Sequence, residues 1–262
     1  MWLVILIGLI QGFAEFLPIS SSGHLVLIYD IFNVTENTIL LSIILHVATL
    51  FAVVFVYWKD IVVLIKNPFC KTNKLLVTAT IPTVVLVLIF EKFINNAFSN
   101  NFYIIGFLIT AIVLVVSERL SKKESEKSVD VSNLNINYKQ ALIVGVAQGI
   151  ASVPGISRSG STIATALMVK VDKSDATKFS FLLSIPIIIA SFCYELLKVE
   201  SATFSFGVVE LFIGFMVAFL VGIVAVKFMI KFVKQKKLYW FSIYLVLISV
   251  FLILNEYLFK LW

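Results

Sequence analysis

The segment EFLPISSSGHL, from Glu15 to Leu25, holds a carboxylate, a proline, three consecutive serines, a glycine and a histidine. It stands between two apolar runs, MWLVILIGLI before it and VLIYDIF after it. Ionisable groups at membrane depth are costly and usually mark function. Non-helical backbone at that depth is tolerated only where protein or a water-filled cavity surrounds it. If the chain lies in a membrane, this segment is therefore its first candidate for a functional site.

The composition indicates an integral membrane protein. Of the 262 residues, 60% are hydrophobic and 14% are charged, and the mean hydropathy is +1.05. A soluble domain is roughly half apolar and about a quarter charged. The net charge of +6 does not call for a nucleic-acid partner, because membrane proteins collect Lys and Arg in their cytoplasmic loops. We expect no cleavable signal peptide, and two cysteines are too few for a disulfide framework.

Six apolar stretches approach about 20 residues, the length that crosses a bilayer as a helix. They are roughly Thr38–Trp58, Leu75–Phe93, Phe102–Ser117, Phe179–Lys198, Gly207–Lys227 and Leu238–Leu258. We therefore predict an all-α integral membrane fold with six transmembrane helices. His46 is the only ionisable residue near the middle of any stretch. On an apolar helix such a histidine is more often a hydrogen-bonded packing residue than a ligand.

The basic residues predict the orientation. If the spans alternate and the first begins outside, 17 of the 21 Lys and Arg residues fall on one side, which the positive-inside rule makes cytoplasmic. Both termini and the uncharged loop Ile94–Asn101 are then outside the cytoplasm. The polar stretch Glu118–Lys139 is predicted to be a solvated cytoplasmic loop within one membrane domain. It separates a first repeat, about residues 1–117, from a second, about residues 140–262.

The two halves share an internal repeat. Shifted by 137 positions, GLIQGFAEFLPISSSGH (Gly8–His24) matches GVAQGIASVPGISRSGS (Gly145–Ser161) at eight of 17 positions without a gap. In both copies a polar turn separates two apolar runs too short to span, which predicts a re-entrant helix hairpin. Three spans follow each hairpin, so the second half is predicted to insert upside down relative to the first. In inverted repeats of this kind the broken helices meet near the midplane and build the site.

The shared pattern I-S-x-S-G predicts an anion site. A serine can cap the helix that follows, while the first N–H groups of that helix stay free and its N-terminus carries about half a positive charge. Phosphate is the usual ligand of such a terminus, and two facing termini suit a diphosphate. The residues predicted to bind it are Gln11, Ser20, Ser22, Gly23, Gln148, Ser157, Ser159 and Gly160. One copy alone would equally fit a capped helix break with no ligand.

The positions at which the two copies differ predict the chemistry. Three ionisable groups occur once per molecule, namely Glu15 opposite Ser152, His24 opposite Ser161, and Arg158 opposite Ser21. The guanidinium fork suits phosphate oxygens. One helical turn separates Ser21 from His24, a spacing that allows a serine nucleophile beside a base or a histidine that protonates a leaving oxygen. Glu15 could orient His24, activate water or hold a metal ion.

The motifs EFLPISSSGHL and PGISRSG, together with QGFAEF and FSFLLSIP (Phe179–Pro186), resemble the signatures of the undecaprenyl-diphosphatase family, the bacitracin-resistance membrane phosphatases. The resemblance covers nearly the whole chain. It implies a polytopic α-helical fold with inverted repeats and re-entrant hairpins. It also implies removal of the terminal phosphate of a C55 polyprenyl diphosphate at the outer face of the cytoplasmic membrane, which recycles the lipid carrier for cell-wall glycans.

Carried over by motif position, the resemblance implies a catalytic acid at Glu15, a serine proposed as nucleophile at Ser21, an essential histidine at His24 and a phosphate-binding arginine at Arg158. It implies a divalent cation, Mg²⁺ or Ca²⁺, with Glu15 as its ligand, and no organic cofactor. Many members have a second glutamate where this chain has Gln11, so a site with two carboxylate ligands is in doubt here. A single cation between Glu15 and diphosphate oxygens remains an alternative. Whether the chain acts alone or as a homodimer stays open.

Two other functions stay open at this point. A transporter or flippase for an anionic or lipid-phosphate substrate would use the same broken helices and Arg158. It would not need Ser21 and His24 one turn apart with Glu15 nearby. A structural or channel subunit predicts no ionisable cluster in the hairpins. Hydrolysis of a polyprenyl diphosphate to the monophosphate and inorganic phosphate is the favoured interpretation.

Overall fold

The computed structural model describes residues 1–34, 38–98, 102–121, 130–198, 206–235 and 237–259. Within these ranges the regular structure is helical, as the composition predicts. The α-helices are α1 (Trp2–Ala14), α2 (Ser21–Ile31), α3 (Ile39–Val56), α4 (Trp58–Lys66), α5 (Lys71–Ile89), α6 (Glu91–Phe98), α7 (Phe102–Leu120), α8 (Tyr138–Ile150), α9 (Arg158–Met168), α10 (Lys173–Lys198), α11 (Val208–Gln235) and α12 (Tyr239–Leu254). A 3-10 turn covers Val131–Asn133 and a π-helical turn covers Asn255–Phe259.

Among the described residues, five of these helices are long and apolar enough to cross a membrane, namely α5, α7, α10, α11 and α12 with the turn that follows it. Helix α3 covers most of the first predicted span, Thr38–Trp58, and at Tyr57 it meets α4 at 81°. The two helices qualify as a span only together. Helix α1 is apolar but shorter than a span. The structure therefore has five candidate spans, or six if α3 and α4 form one.

The side chains of these helices are distributed as in a membrane protein. Large apolar groups are exposed on their outer faces, among them Ile81, Ile112, Phe212 and Leu247. Hydroxyl side chains lie inside instead, and the fully buried ones include Thr49, Thr110, Ser184 and Ser249. In lipid the packed interior holds small and hydroxyl residues, because they let helix backbones approach closely and find hydrogen-bond partners. The exposed apolar belt is then the lipid-facing surface.

Both predicted helix breaks are present. The first lies between α1 and α2 and the second between α8 and α9, and the paired helices have equal lengths of 13 and 11 residues. The repeat extends well beyond the motifs. Helices α2, α5 and α7 begin at residues 21, 71 and 102, whereas α9, α11 and α12 begin at 158, 208 and 239, each 137 positions later. The short repeat in the sequence therefore reflects a repeat of helix boundaries along the chain.

The halves interlock through their first helices. Helix α1 packs along α11 of the second half, and α8 packs along α5 of the first half. Two equivalent glycines permit this, since a Cβ at Gly8 would lie 3.0 Å from the carbonyl oxygen of Gly214 and a Cβ at Gly145 would lie 2.2 Å from that of Ala79. The exchange brings the two breaks together, and Ser159 Oγ of the second break donates to Leu17 O of the first at 3.1 Å.

One loop predicted outside the cytoplasm is partly helical. Residues 94–98 belong to α6, in which Ile94 and Ala97 are buried. The rest of that predicted loop, residues 99–101, lies outside the described part of the chain.

The polar stretch Glu118–Lys139 was predicted to be solvated, and this is wrong for its second part. Residues 122–129 lie outside the described ranges. After them Val131, Leu134 and Ile136 are buried, and the 3-10 turn packs against α4 and α5. Lys71 Nζ donates to Leu134 O at 2.9 Å. These three apolar residues stand among polar neighbours, and their burial fixes the entry into α8.

Candidate active site

Glu15 is the centre of a polar cluster at the first break. Its side chain is only 5% exposed. Arg158 Nη2 donates to Glu15 Oε1, across the junction of the two halves. Ser21 Oγ donates to Glu15 Oε2 at 2.7 Å, and Gln11 Nε2 donates to the same oxygen at 3.1 Å. The structure thus brings together three of the four residues that the resemblance marks as catalytic, together with Gln11.

Helix geometry explains this convergence. Gln11 and Glu15 are four positions apart, which puts them on one face at the end of α1. Ser21 is the first residue of α2, and Arg158 is the first residue of α9. The hydroxyl and the guanidinium therefore stand at equivalent places of the repeat, each at a helix N-terminus where a negative group is stabilised.

Both helix N-termini are capped as predicted. Ser20 Oγ accepts from the Gly23 N–H at 3.3 Å, and Ser157 Oγ accepts from the Gly160 N–H at 3.0 Å. Within each motif the two outer serine hydroxyls lie 3.3 Å apart, in the pairs Ser20–Ser22 and Ser157–Ser159. Because the caps use the glycine amides, the amides that remain for an anion are those of the first two residues of α2 and of α9.

The two motif glycines serve helix packing. Both are among the residues predicted to bind the diphosphate. A Cβ at Gly23 would lie 2.6 Å from the Phe107 ring, and one at Gly160 would lie 3.0 Å from Pro18. The space beside each glycine is therefore occupied by residues of another element.

Among the described residues His24 is hydrogen-bonded to Ser20 and Tyr244 and not to Glu15, so orienting His24, one of the three roles considered for Glu15, finds no support here. Its Nδ1 donates to the Ser20 carbonyl oxygen at 2.7 Å. A neutral ring with this tautomer accepts at Nε2, where the Tyr244 hydroxyl lies 2.6 Å away. The ring is also flanked by Phe107, with centroids 5.0 Å apart. Both ring nitrogens are therefore engaged away from Ser21, and Tyr244 of α12 is a site neighbour that the sequence analysis missed.

An apolar cavity of about 190 Å³ opens beside His24. Its lining comes from α1, the first break and α12, namely Leu9, Ile10, Phe13, Ala14, Ile19, His24 and Tyr244. Leu9 and Phe13 are exposed at the surface. The cavity thus lies between His24 and the exposed side chains of α1.

His46 also lies next to the site, although it was predicted only to be a packing residue. It lies on α3, and its Nε2 is 3.9 Å from Glu15 Oε2. Its Nδ1 lies 2.8 Å from the Ser42 carbonyl oxygen, so the Nδ1–H donates there. The prediction of a hydrogen-bonded histidine is correct, but the ring also faces the carboxylate of the site. The sequence did carry one signal for this position, because His46 is the only ionisable residue near the middle of a predicted span.

The two repeated glutamines have different partners. Gln11 binds Glu15, whereas Gln148 Nε2 donates to Thr83 Oγ1 of α5 at 3.1 Å. Among the described residues, the side-chain oxygens of both glutamines are buried without a hydrogen-bond partner. Among the described residues Gln148 makes no hydrogen bond to the Glu15 cluster. Its predicted role in binding a ligand stays a prediction.

The described residues do not form a resident divalent-cation site. No group of three His, Cys, Asp or Glu residues with metal-binding geometry occurs in this part of the chain. Both oxygens of Glu15 accept hydrogen bonds, one of them from the positively charged Arg158. A guanidinium in that position repels a second cation. The cation implied by the family resemblance therefore stays a prediction.

Comparison with known proteins identifies the family of the chain. The family described as "Bacitracin resistance protein BacA" matches residues 4–251. The undecaprenyl-diphosphatase of Carboxydothermus hydrogenoformans is 38% identical over 250 residues, which cover 94% of each chain. That of Alkaliphilus metalliredigens is 39% identical over 261 residues, 92% of this chain and 93% of its own. Undecaprenyl-diphosphatase 4 of Bacillus thuringiensis is 38% identical over 260 residues, 98% of each chain.

A match over nearly the whole chain, with relatives of the same length, extends to both helix breaks and all the spans between them. The chain is a multi-pass membrane protein and belongs to the bacitracin resistance protein BacA family.

Proposed function

We propose that this chain hydrolyses undecaprenyl diphosphate to undecaprenyl phosphate and inorganic phosphate. The relatives are named for that activity. The structural observation that carries the proposal is the cluster in which Arg158 and Ser21, at two capped helix N-termini, bind the same carboxylate. A transporter would need the anion-binding part of this arrangement but has no use for a hydroxyl held on a carboxylate. The activity would recycle the lipid carrier of cell-envelope glycans.

The membrane arrangement belongs to the same proposal. We place the helix pairs α1–α2 and α8–α9 as re-entrant hairpins, with the halves inverted relative to each other. The shared helix boundaries, the interlocking of α1 and α8 with the opposite half, and the lysine distribution support this arrangement. In the cytoplasmic membrane it puts the first break and both termini toward the outside.

Diphosphate binding begins with Arg158. Its guanidinium binds the Glu15 carboxylate before substrate arrives, and phosphate oxygens compete for the same fork of donors. The free amides at the starts of α2 and α9 add two partial positive charges. We propose that the terminal phosphate draws Arg158 from Glu15. The first isoprenoid units then lie in the apolar cavity beside α1, which leads toward lipid.

Chemistry follows at Ser21. When Arg158 moves to phosphate, Glu15 loses its strongest partner and becomes a better proton acceptor for the hydroxyl that it already binds at 2.7 Å. Ser21 Oγ bonds to the terminal phosphorus, its proton passes to Glu15, and the bridging P–O bond breaks. Undecaprenyl phosphate leaves, and water then releases the phosphate from Ser21. Direct attack by water held on Glu15 is the alternative to this route.

His24 is assigned to the leaving phosphate. Its ring stands one turn along α2 from Ser21 and rests against Tyr244. With a proton on Nε2 as well as on Nδ1, His24 can donate to a phosphate oxygen in place of accepting from the Tyr244 hydroxyl. It then hydrogen-bonds the phosphate that stays on the lipid. No step of this mechanism is assigned to a divalent cation, since the described residues offer it no preformed site.

The decisive experiment is an assay of the purified chain in detergent with undecaprenyl diphosphate, followed by phosphate release and by the appearance of the lipid monophosphate. Both products should form in a one-to-one ratio. A chain that binds the lipid but releases no phosphate would leave the transporter as the better interpretation.

The orientation has its own test. Single cysteines at Ser99 and Ser125, which both lie outside the described residues, can be probed in intact cells with a membrane-impermeant thiol reagent. We expect labelling at position 99 alone. Labelling at position 125 alone would reverse the topology.

A further inference from the structure

His46 is held in one orientation at the edge of the polar cluster. Its Nδ1–H donates to the Ser42 carbonyl oxygen at 2.8 Å, the hydrogen bond four positions back along α3. The Thr49 hydroxyl donates to the backbone carbonyl oxygen of His46 at 2.8 Å and does not contact the ring. With Nδ1 carrying the proton, the neutral ring presents its Nε2 as an acceptor. That acceptor faces the site.

The atom opposite Nε2 is also an acceptor. Glu15 Oε2 lies 3.9 Å from His46 Nε2. This is longer than a direct hydrogen bond, which spans roughly 2.7–3.2 Å. Two acceptors at this separation are what one water molecule bridges, because it donates one hydrogen to each. The gap lies between a partly exposed ring and a buried carboxylate, since the His46 side chain is 34% exposed whereas that of Glu15 is 5% exposed.

The same carboxylate oxygen also serves the nucleophile. Glu15 Oε2 accepts from Ser21 Oγ at 2.7 Å, so a water between Glu15 and His46 lies next to the hydroxyl that takes the phosphoryl group. Once Ser21 is phosphorylated it no longer donates to that oxygen. A lone pair of Glu15 then becomes free to orient water toward the phosphorus.

We propose that His46 is a further catalytic residue, whose Nε2 holds, together with Glu15 Oε2, the water that attacks the phosphoryl group. The inference rests on the proposed function and adds the origin of the hydrolytic water to it. In the step, the water oxygen bonds to phosphorus and the bond from phosphorus to Ser21 Oγ breaks. Glu15 returns to Ser21 Oγ the proton it had taken and accepts one water proton in its place, which then leaves with the inorganic phosphate. If water attacks the diphosphate directly, the bridging P–O bond breaks instead and the same two residues hold the water.

The test compares His46→Leu with His46→Gln. Leucine fills the site without an acceptor, while the glutamine side-chain oxygen can still accept from water. Thr49→Val is the matched control, because it removes a hydrogen bond from the same helical turn without touching the cluster. Each variant is purified as the full chain in detergent, checked by thermal unfolding, and assayed with undecaprenyl diphosphate for kcat and KM.

We expect His46→Leu to lower kcat about a hundredfold, the loss that misplacement of a reacting group causes, with KM within about threefold of the parent. His46→Gln should retain several times more activity than His46→Leu, and Thr49→Val should stay near the parent. Rapid-quench measurement then sharpens the result. If Ser21 is the nucleophile, His46→Leu should release about one lipid monophosphate per enzyme in a burst, followed by slow phosphate release.

Other outcomes overturn the inference. Near-parental kcat in His46→Leu would show that the ring does not hold the water, and a raised KM with unchanged kcat would make it a substrate ligand. An activity loss in His46→Leu that added Mg²⁺ restores would assign the gap to a cation. A parent chain that is itself inactive, with phosphate release also absent from Glu15→Gln and Arg158→Ala, would instead refute the proposed function.

Discussion

The two helix breaks have the same sequence pattern and different backbones. In the first, Pro18 stands where the second has Gly155, and proline restricts φ to about −65°. The second break turns at Gly155, whose φ is +84°. The first cannot turn there, and Ser20 has a φ of +70° instead, whereas its counterpart Ser157 has a φ of −69°. The same change of direction is made two residues later, by a residue with a side chain.

The surroundings of the two breaks also differ. The second break is fixed to α7, where the Thr110 hydroxyl accepts from the Ser157 N–H at 3.0 Å and lies 3.2 Å from the Gly155 carbonyl oxygen. The first break holds Glu15 and the strained Ser20. Strained backbone of this kind is concentrated at functional sites. The comparison supports the proposal that the second break holds Arg158 in place while the first carries the reacting groups.

The largest effect should come from the carboxylate. Glu15→Gln removes the proton acceptor of Ser21 and the partner of Arg158, and we expect phosphate release to fall about a thousandfold, within the range for a general base. Ser152→Ala changes the equivalent position of the second break and should stay close to the parent. Comparable losses in the two variants would show that the breaks share the chemistry equally.

Ser21→Ala should follow, with a loss of at least about a hundredfold, because the hydroxyl bound to Glu15 is the proposed nucleophile. Ser22→Ala should lose less, since its hydroxyl pairs with Ser20 while the amides of α2 still bind phosphate. A trapped phosphoserine in a rapidly quenched reaction would identify the attacked residue. If Ser21→Ala keeps most of the activity, the attacking group is water and not Ser21.

Arg158→Lys tests what the second break contributes. A lysine keeps the charge but presents one ammonium instead of a planar fork, so we expect kcat/KM to fall roughly tenfold to a hundredfold. The measurement is the dependence of phosphate release on lipid concentration. Activity near that of the parent would mean that only a positive charge is required at the start of α9.

The smallest effect should concern the backbone. Replacing either capping serine by alanine costs about 1 kcal/mol, whereas glycine costs only a few tenths. At Ser20 alanine must also adopt a positive φ, so the difference between Ser20→Ala and Ser20→Gly should exceed that between Ser157→Ala and Ser157→Gly. Thermal unfolding of the four variants in detergent measures this. If the Ala–Gly difference is the same at Ser20 and Ser157, backbone strain does not distinguish the two breaks.

Much of the site was predictable because the repeat exposes its own exceptions. Glu15 and Arg158 stood out where one copy departs from the other, and they meet in the structure. The neighbours His46 and Tyr244 were not predictable in the same way. They lie on α3 and α12, far from the motifs in sequence, and only the packing of those helices on the first break brings them near Glu15 and His24.

The sequence by itself determined the all-helical membrane character, the approximate spans and the two capped breaks, because hydropathy, serine caps and a repeat act over short distances along the chain. It did not determine which side chain each polar group would face. That was decided by the exchange of α1 and α8 between the halves, which places Arg158 on Glu15 and leaves His24 on Tyr244. The physical reason is that a buried polar group takes the partner that helix packing brings within about 3 Å, and packing depends on contacts remote in sequence.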